Sequence, residues 1–166
     1  SSDKSVKDNA LANDFIKFYA NARSDQTLLA FTNLGNCCKI DMEIAPECRF
    51  RDKGFKFTDI CKDASRNEYP VAFFAVDEDK VPDGYLLFYT KDGLIKKTEW
   101  KESILLKTYY QAIKLKDGDS VINVEQDIEG KDLFFVTSKG ICLRASKNVP
   151  VQGRVAGGVK GLNMNK

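Results

Sequence analysis

The sequence predicts an all-β fold built from repeated units, because one local pattern occurs three times along its 166 residues. Each copy consists of an apolar run, a threonine three residues before a glycine, and a cation four residues after that glycine. Gly35, Gly93 and Gly140 mark the three copies and lie 58 and 47 residues apart. Each copy has the form of a β-hairpin with glycine in its turn, and such a spacing is typical of a propeller or another repeat array.

The strands are predicted from apolar runs and from alternation of apolar and polar residues. The hairpins occupy residues 27–42, 85–100 and 133–144, and residues 1–13 are polar and expected to be frayed. Only residues 59–67 suit a helical turn, and Pro or Asp-Gly pairs separate the elements. Besides the hairpins, strands are predicted at residues 14–20, 55–57, 71–76, 111–115 and 120–128.

One domain of about three four-stranded blades accounts for this order, with the last blade incomplete. No apolar run is long enough to cross a membrane, and the N-terminus does not resemble a signal peptide. The chain begins without Met and ends after a glycine-rich stretch, so we expect it to be a piece of a longer protein. We assign residues 1–13 to the frayed segment and 14–166 to a propeller-like array, with units at about 14–84, 85–131 and 132–166.

Cysteine usage favours a reduced, cytoplasmic protein. The chain has five cysteines, an odd number, and no signal peptide. Cys37 and Cys38 are adjacent on a predicted strand, so their side chains point to opposite faces and are poorly placed to share a metal ion. Because there is no Cys-x-x-Cys pair and no histidine, we expect no metal and no cofactor, and we interpret the cysteines as small apolar residues within strands.

The residue types do not favour catalysis. There is no histidine to act as a base, and the carboxylates of residues 77–79 lie in a connector, where a solvated link is the ordinary interpretation. The glycine-rich stretch 153–161 is neither a Walker loop nor a dinucleotide fingerprint, because no Ser or Thr follows its lysine and no helix is predicted after it. We therefore expect a chain with no catalytic residues.

The net charge of +2 conceals an uneven distribution of charge along the chain. Residues 139–166 carry six cations and no acid, whereas acids concentrate in the connectors at 77–83 and 117–132. Equivalent positions of a repeat array recur on the same face, so this pattern predicts one basic rim and one acidic rim. Random scatter over a solvated surface is the alternative.

The basic stretches suit contact with phosphates. Glycines let backbone N–H groups approach a phosphate, and Arg154 and Lys160 add positive charge to the stretch 153–161. The first unit has a weaker basic loop with the same proline-to-glycine spacing at residues 46–54. The alternative is that the glycines only allow the chain to cross between blades, and the two roles are compatible.

The aromatic residues favour a duplex over a single strand as the nucleic-acid partner. Phe31, Phe88 and Phe134 lie in predicted strands, where packing in the core is their expected role, and only Trp100 is expected to be half exposed. Cations on loops with few exposed aromatic rings suit a duplex that is bound through its phosphates, independently of sequence and with a strong dependence on salt.

Together these motifs resemble the C-terminal domain of the A subunit of the bacterial type IIA topoisomerases, DNA gyrase and topoisomerase IV. The resemblance extends from about residue 15 to the end and rests on the three Thr-x-x-Gly hairpins, the turn at 116–122 and the segment 149–161. It implies a β-pinwheel, a ring of four-stranded blades that exchange strands, whose basic rim bends and wraps double-stranded DNA. It also implies a cytoplasmic, nucleoid-associated enzyme in which the A-subunit catalytic core is a partner of this domain, as is the ATPase B subunit.

Position in the repeat, taken with this resemblance, implies that DNA phosphates contact Lys39, Arg49, Arg51, Lys53, Lys96, Lys97, Lys101, Arg144, Lys147, Arg154 and Lys160. The chain lacks the glutamine, arginine and glycine box of gyrase, and +2 is modest for a domain that wraps DNA. Gyrase and topoisomerase IV therefore stay open as alternatives. A propeller-type scaffold that binds an acidic protein is a second hypothesis. A small all-β enzyme domain is a third, for which the sequence offers no convergent polar pocket.

Overall fold

The computed structural model describes residues 21–43, 45, 54–127 and 149–161, together with the backbone of 133–136 and 142–145. The predicted frayed segment 1–13, the predicted strand 14–20 and most of the basic loop 46–54 lie outside the described residues. The turn of the third hairpin lies outside them as well.

The described residues form ten strands and almost no helix, which confirms the predicted all-β fold. The strands are β1 (Thr27–Thr32), β2 (Asn36–Asp41), β3 (Pro70–Val76), β4 (Tyr85–Thr90), β5 (Leu94–Glu99), β6 (Tyr109–Gln111), β7 (Val121–Asp127), β8 (Leu133–Val136), β9 (Cys142–Ala145) and β10 (Val159–Lys160). One four-stranded sheet has the order β3-β1-β2-β6 and a second has the order β10-β5-β4-β7, while β8 pairs with β9. All of these pairings are antiparallel.

The two four-stranded sheets repeat one arrangement. In each, a hairpin (β1–β2 or β4–β5) pairs on one side with a later strand of its own unit, β3 or β7. On the other side, β2 pairs with β6, which lies beyond the second hairpin in sequence, and β5 pairs with β10, which lies beyond the third. Each sheet therefore receives its fourth strand from the following unit, which is the strand exchange that a β-pinwheel implies.

The threonine of the repeated pattern closes the hairpin turn. In the first hairpin, the backbone N–H of Gly35 donates to the carbonyl of Thr32 at 3.0 Å, and the N–H of Asn36 donates to the Thr32 hydroxyl at 3.2 Å. Thr90 makes the same two contacts in the second hairpin, at the same distances. The two turn glycines have φ of 83° and 81°, a conformation that side chains with a Cβ rarely adopt. The spacing Thr-x-x-Gly is thus a requirement of the turn.

One hydrophobic core joins the two sheets. Phe31 of β1 packs edge-to-face on Phe88 of β4, with ring centroids 5.3 Å apart, and on Phe74 of β3 at 5.9 Å. This confirms the core role predicted for Phe31 and Phe88. Trp100 is only 2% exposed and packs edge-to-face on Phe74, so the expectation that it is half exposed was wrong. Trp100 follows β5 directly, and its side chain belongs to the core cluster between the sheets.

The strand predicted at residues 55–57 is not formed, since residues 54–56 have no regular structure, and a short helix begins at Phe57, two residues before the helical turn predicted at 59–67. Phe57–Ile60 form a single turn, α1, in which the Asp59 carboxylate accepts a hydrogen bond from the backbone N–H of Lys56 at 3.1 Å. This cap stabilises the start of a helix and outweighs the alternating pattern of apolar and polar residues. No helix among the described residues is long and apolar enough to cross a membrane.

The adjacent cysteines of β2 face opposite sides of the first sheet, as predicted. Cys37 lies in the core between the sheets, where burial raises the pKa of its thiol to about 12. Cys38 lies on the other face, beneath the α1 segment, and is joined to Cys61 in a disulfide with a Cα–Cα distance of 6.3 Å. This pairing departs from the expectation that all cysteines are reduced. It was not predicted because 22 residues separate the two cysteines and no local pattern indicates that they meet.

Candidate nucleic-acid interface

The cations that follow the hairpin glycines are paired with acids. Lys39, with a side chain 9% exposed, lies 2.7 Å from the carboxylate of Glu78. Lys97, at the equivalent position of the second hairpin, is 17% exposed and lies 2.6 Å from Asp127. Both pairs lie at the end of the sheet away from the glycine turn, where β3 and β7 end. For these two lysines the prediction of separate basic and acidic rims was therefore wrong, and their contact with DNA stays a prediction without further support.

Lys96 has no exposed surface at all. Its ammonium group donates to the backbone carbonyl of Ala112 at 2.5 Å and to the carbonyl of Arg154. A phosphate contact requires an accessible ammonium group, so the prediction that Lys96 contacts DNA was wrong. Side chains alternate between the faces of a strand, which is why Lys96 is enclosed between the sheets while its neighbour Lys97 reaches an acid at the surface.

Three of the predicted residues keep surface that a phosphate can reach. Lys101 is 72% exposed, although its ammonium group lies 2.6 Å from Glu99. Lys160 is exposed on β10, and Arg154 is partly exposed on the loop before it. The side chains of Arg144, Arg49, Arg51, Lys53 and Lys147 lie outside the described residues.

The glycine-rich loop, residues 151–161, lies along the seam between the two sheets. The backbone N–H of Gln152 donates to the carbonyl of Lys97 at 2.8 Å, and the N–H of Gly161 donates to that of Gly93 at 2.9 Å. A Cβ on Gly158 would lie 2.8 Å from the carbonyl oxygen of Ile95, and one on Gly157 would lie 2.9 Å from that of Lys114. The glycines thus permit close backbone contact, which favours the interpretation that they let the chain cross between blades.

Substitution of Gly158 is therefore expected to displace the loop. Gly158→Ala should destabilise the fold by about 2 kcal/mol, because φ is +89° and the new Cβ would collide with the Ile95 carbonyl. Gly153 is the matched control, since its Cβ would meet nothing within 4 Å, and Gly153→Ala should change stability by less than about 0.5 kcal/mol. Urea denaturation of both variants makes the comparison, and equal stabilities would contradict the crossing role.

Exposed cations that sequence analysis did not select lie beside this loop and the turn of the second hairpin. The backbone N–H of Lys91 donates to the carbonyl of Ser120, and that of Lys114 donates to the carbonyl of Ala156. Asp119, which follows the turn at Lys116, accepts from the N–H of Asp92 at 3.0 Å. With the two loop cations they form what we call the turn-end cluster: Lys91, Lys114, Lys116, Arg154 and Lys160.

A signal for two members of the turn-end cluster was present in the sequence. Lys91 and Lys116 each begin a Lys-Asp-Gly turn, at 91–93 and 116–118. Such turns are exposed, so their lysines are accessible wherever the turns lie. Backbone pairing of the two turns is what brings these lysines together, and no local pattern encodes it.

No protein-family model matches the chain. Among curated proteins, the A subunit of DNA topoisomerase 4 from Bacillus subtilis (strain 168) is 34% identical over 143 residues, which are 84% of this chain and 17% of that protein. The A subunit of DNA gyrase from Halalkalibacterium halodurans is 29% identical over 152 residues, which are 90% of this chain and 18% of that protein. The chain thus spans less than a fifth of the length of these relatives.

Among solved structures, the crystal structure of the C-terminal domain of DNA topoisomerase IV matches with a TM-score of 0.77 and 31% identity. The match covers 86% of this chain and 45% of that one. Sequence and structure therefore agree with the resemblance found in the motifs, and with the β-pinwheel fold that the strand exchange displays. This chain belongs to the family of the C-terminal domains of the A subunits of topoisomerase IV and DNA gyrase.

Proposed function

We propose that this chain binds duplex DNA through the phosphate backbone, without reading base sequence. Its relatives are named as subunits of DNA topoisomerase and DNA gyrase, and this family relationship is the observation that carries the proposal. The turn-end cluster offers a surface with suitable charge. Four of its five cations are exposed, and among the described residues none of those four is in an ion pair.

The composition of the cluster supports contact with phosphates rather than with bases. Lysine presents a strongly hydrated point charge on a flexible stem, which suits phosphate oxygens and does not read a base edge. The Lys-Asp-Gly turns also carry Asp92 and Asp117, whose carboxylates reduce the local charge. The net attraction is therefore moderate, and binding should weaken steeply as salt competes for the phosphates.

The wider role that we propose is that of an accessory domain of an ATP-dependent type II topoisomerase. Within the whole enzyme it would bend or wrap a DNA segment and present it to the catalytic core, in cooperation with the ATPase B subunit. The reaction would take place in the cytoplasm, at the nucleoid. The chemistry of strand cleavage would lie outside this chain, which would contribute no catalytic residue.

Salt-dependent binding to random-sequence duplex tests the proposal. The chain should bind such a duplex at about 50 mM salt, with no sequence preference and with affinity that falls steeply up to about 200 mM. In the double variant Lys91→Gln, Lys160→Gln, the slope of log affinity against log salt should be smaller by about 2, because each lysine on a phosphate contributes about 0.9 to it. Fluorescence anisotropy with a labelled duplex measures both quantities.

The matched control removes two exposed lysines from another region. Lys62→Gln, Lys80→Gln makes the same change in net charge but lies near α1 and in the β3–β4 connector. Its salt slope should equal that of the wild type. A chain that binds no random duplex at low salt would refute DNA binding and favour a scaffold for an acidic protein, and equal slopes in the two double variants would refute the turn-end cluster as the contact surface.

A further inference from the structure

Lys96 occupies a position that the repeat does not explain. By register it corresponds to Cys38 of the first sheet, because Cys38 pairs with Ala30 and Lys96 pairs with Phe88 in equivalent hairpins. Cys38 is covered by the α1 segment, whereas Lys96 is covered by the glycine-rich loop and by the segment after β6. A charged residue thus lies in the seam between the sheets, at a position where the first and third copies of the repeat have the uncharged residues Cys38 and Leu143.

The ammonium group of Lys96 joins three parts of the chain. It extends from β5, donates to the carbonyl of Ala112 after β6, and donates to the carbonyl of Arg154 in the loop. It also lies 4.9 Å from the centroid of the ring of Phe88, a residue of the hydrophobic core. Among the described residues no carboxylate accepts a hydrogen bond from it, and both of its hydrogen-bond partners are backbone carbonyls.

Arg154 is held through both its backbone and its side chain. Its backbone carbonyl is held by Lys96, while its guanidinium donates to the carbonyl of Gln111 and lies 5.9 Å from the ring of Tyr110. Both of those residues belong to β6, the strand that completes the first sheet. The two cations therefore interlock the loop with the neighbouring sheet.

The contact does not depend on the charge of Lys96. Burial, and to a lesser degree the nearby guanidinium of Arg154, lowers the pKa of Lys96 to about 7, while Glu102 acts in the opposite direction. A neutral amine still has two N–H groups, one for each of the two carbonyls. Either protonation state can hold the loop in place.

We propose that Lys96 is a positioning residue for DNA binding: it holds the backbone of Arg154 against the segment after β6 and so fixes the cations of the glycine-rich loop at the seam. The inference rests on the DNA-binding function proposed above. Lys96 itself touches no phosphate. It acts by keeping Arg154, and through the loop Lys160, in place before DNA arrives, so that this ordering does not have to occur during binding.

Proteolysis of the loop tests the positioning role without DNA. In Lys96→Met, trypsin should cleave after Arg154 at least ten times faster than in the wild-type chain, while cleavage after the exposed Lys80 stays unchanged. Thr98→Val is the matched control, because Thr98 is also buried on β5 and its hydroxyl has no hydrogen-bond partner in the described part of the chain. Its cleavage after Arg154 should match that of the wild type.

DNA affinity distinguishes positioning from a purely structural role. Arg154→Gln and Lys96→Met should each weaken duplex binding by about fivefold to tenfold. The double variant should bind no more weakly than the more affected single variant, because the phosphate contact of Arg154 is among those that Lys96→Met already removes. Additive losses would indicate that Lys96 acts only through stability, and would overturn the proposal.

Wild-type cleavage after Arg154 in a folded Lys96→Met chain would also overturn it. If that variant does not fold, Lys96→Gln, whose shorter polar side chain cannot reach both carbonyls, provides the comparison with the same expected acceleration and the same refuting result. Because cleavage does not involve DNA, accelerated cleavage in a chain that binds no duplex would refute the proposed function and leave the anchoring of the loop in place.

Discussion

Replacement of Phe31 by alanine is expected to destabilise the chain by about 4 kcal/mol, a typical loss when a buried phenylalanine is replaced by alanine. Phe31 is almost completely buried and touches both sheets, through Phe74 on its own sheet and Phe88 on the neighbouring one. The substitution removes apolar contacts and leaves a cavity at the junction of the sheets. Since small domains are stable by only about 5–15 kcal/mol, Phe31→Ala should lose a large part of the total.

Guanidinium denaturation measures this loss of stability, followed by two spectroscopic probes that report on different parts of the fold. Far-UV circular dichroism follows all strands, and fluorescence follows Trp100, the single tryptophan, beside the second sheet. If the sheets share one core, both probes should show one transition at the same midpoint. Phe55→Ala is the control, since Phe55 is 48% exposed, and should cost less than about 1 kcal/mol. Separate transitions in the wild type would contradict a shared core.

The hairpins were predictable because their signal is local. Thr32 and Thr90 each close a turn by contacts to the third and fourth residues after them, so the whole requirement lies in five consecutive positions. The strand before each of these turns is an apolar run, and the turn fixes where the next strand begins. Their bounds were accordingly correct to within one or two residues for all three hairpins, as was the strand at Pro70–Val76.

The exchanged strands were not predictable in the same way. β6 has three residues and β10 has two, and each pairs with a hairpin from an earlier unit. Such segments are too short to show a periodicity. They are strands because they pair with the second strand of a hairpin, β2 or β5. A strand was expected at 111–115, whereas β6 is Tyr109–Gln111 and the following residues run across the Gly35 turn, where Ala112 and Ile113 donate to its carbonyl.

The roles of charged residues were also not predictable from local sequence alone. The sequence identifies a cation by its type, but the face of the strand and the neighbouring sheet decide what it meets. Lys96 and Lys97 are adjacent and were assigned the same role, yet one is enclosed among backbone carbonyls and the other is bound to Asp127. Conversely, Lys91 and Lys116 belong to ordinary exposed turns and become candidates only because those turns are neighbours in space.

The first sheet contains a buried carboxylate that ties the exchanged strand to the rest of the sheet. Glu68 is 4% exposed and lies just before β3. Burial alone would raise the pKa of the Glu68 carboxyl, but hydrogen bonds to its charged form outweigh that effect and hold the pKa below its usual value. The donors are the Thr32 hydroxyl at 2.5 Å, the Asn36 amide at 3.0 Å, the Tyr109 hydroxyl at 2.8 Å and the Ser65 backbone N–H at 3.0 Å.

Glu68→Gln is therefore expected to cost about 3 kcal/mol at neutral pH, because it keeps the volume but replaces one acceptor oxygen with an amide donor that faces other donors. Glu43→Gln, at an exposed position, is the control and should change stability by less than about 0.5 kcal/mol.

The difference between the wild type and Glu68→Gln should also depend on pH. A carboxyl whose pKa is lowered by folding contributes its full stability above its unfolded pKa of about 4.3 and loses it as the pH falls through the lower folded value. Urea denaturation from pH 7 to pH 3 should thus show a constant difference down to about pH 5 and a shrinking one below it. A difference that stays constant to pH 3 would mean that the amide disrupts packing, and that the charge of Glu68 does not hold β6 in place.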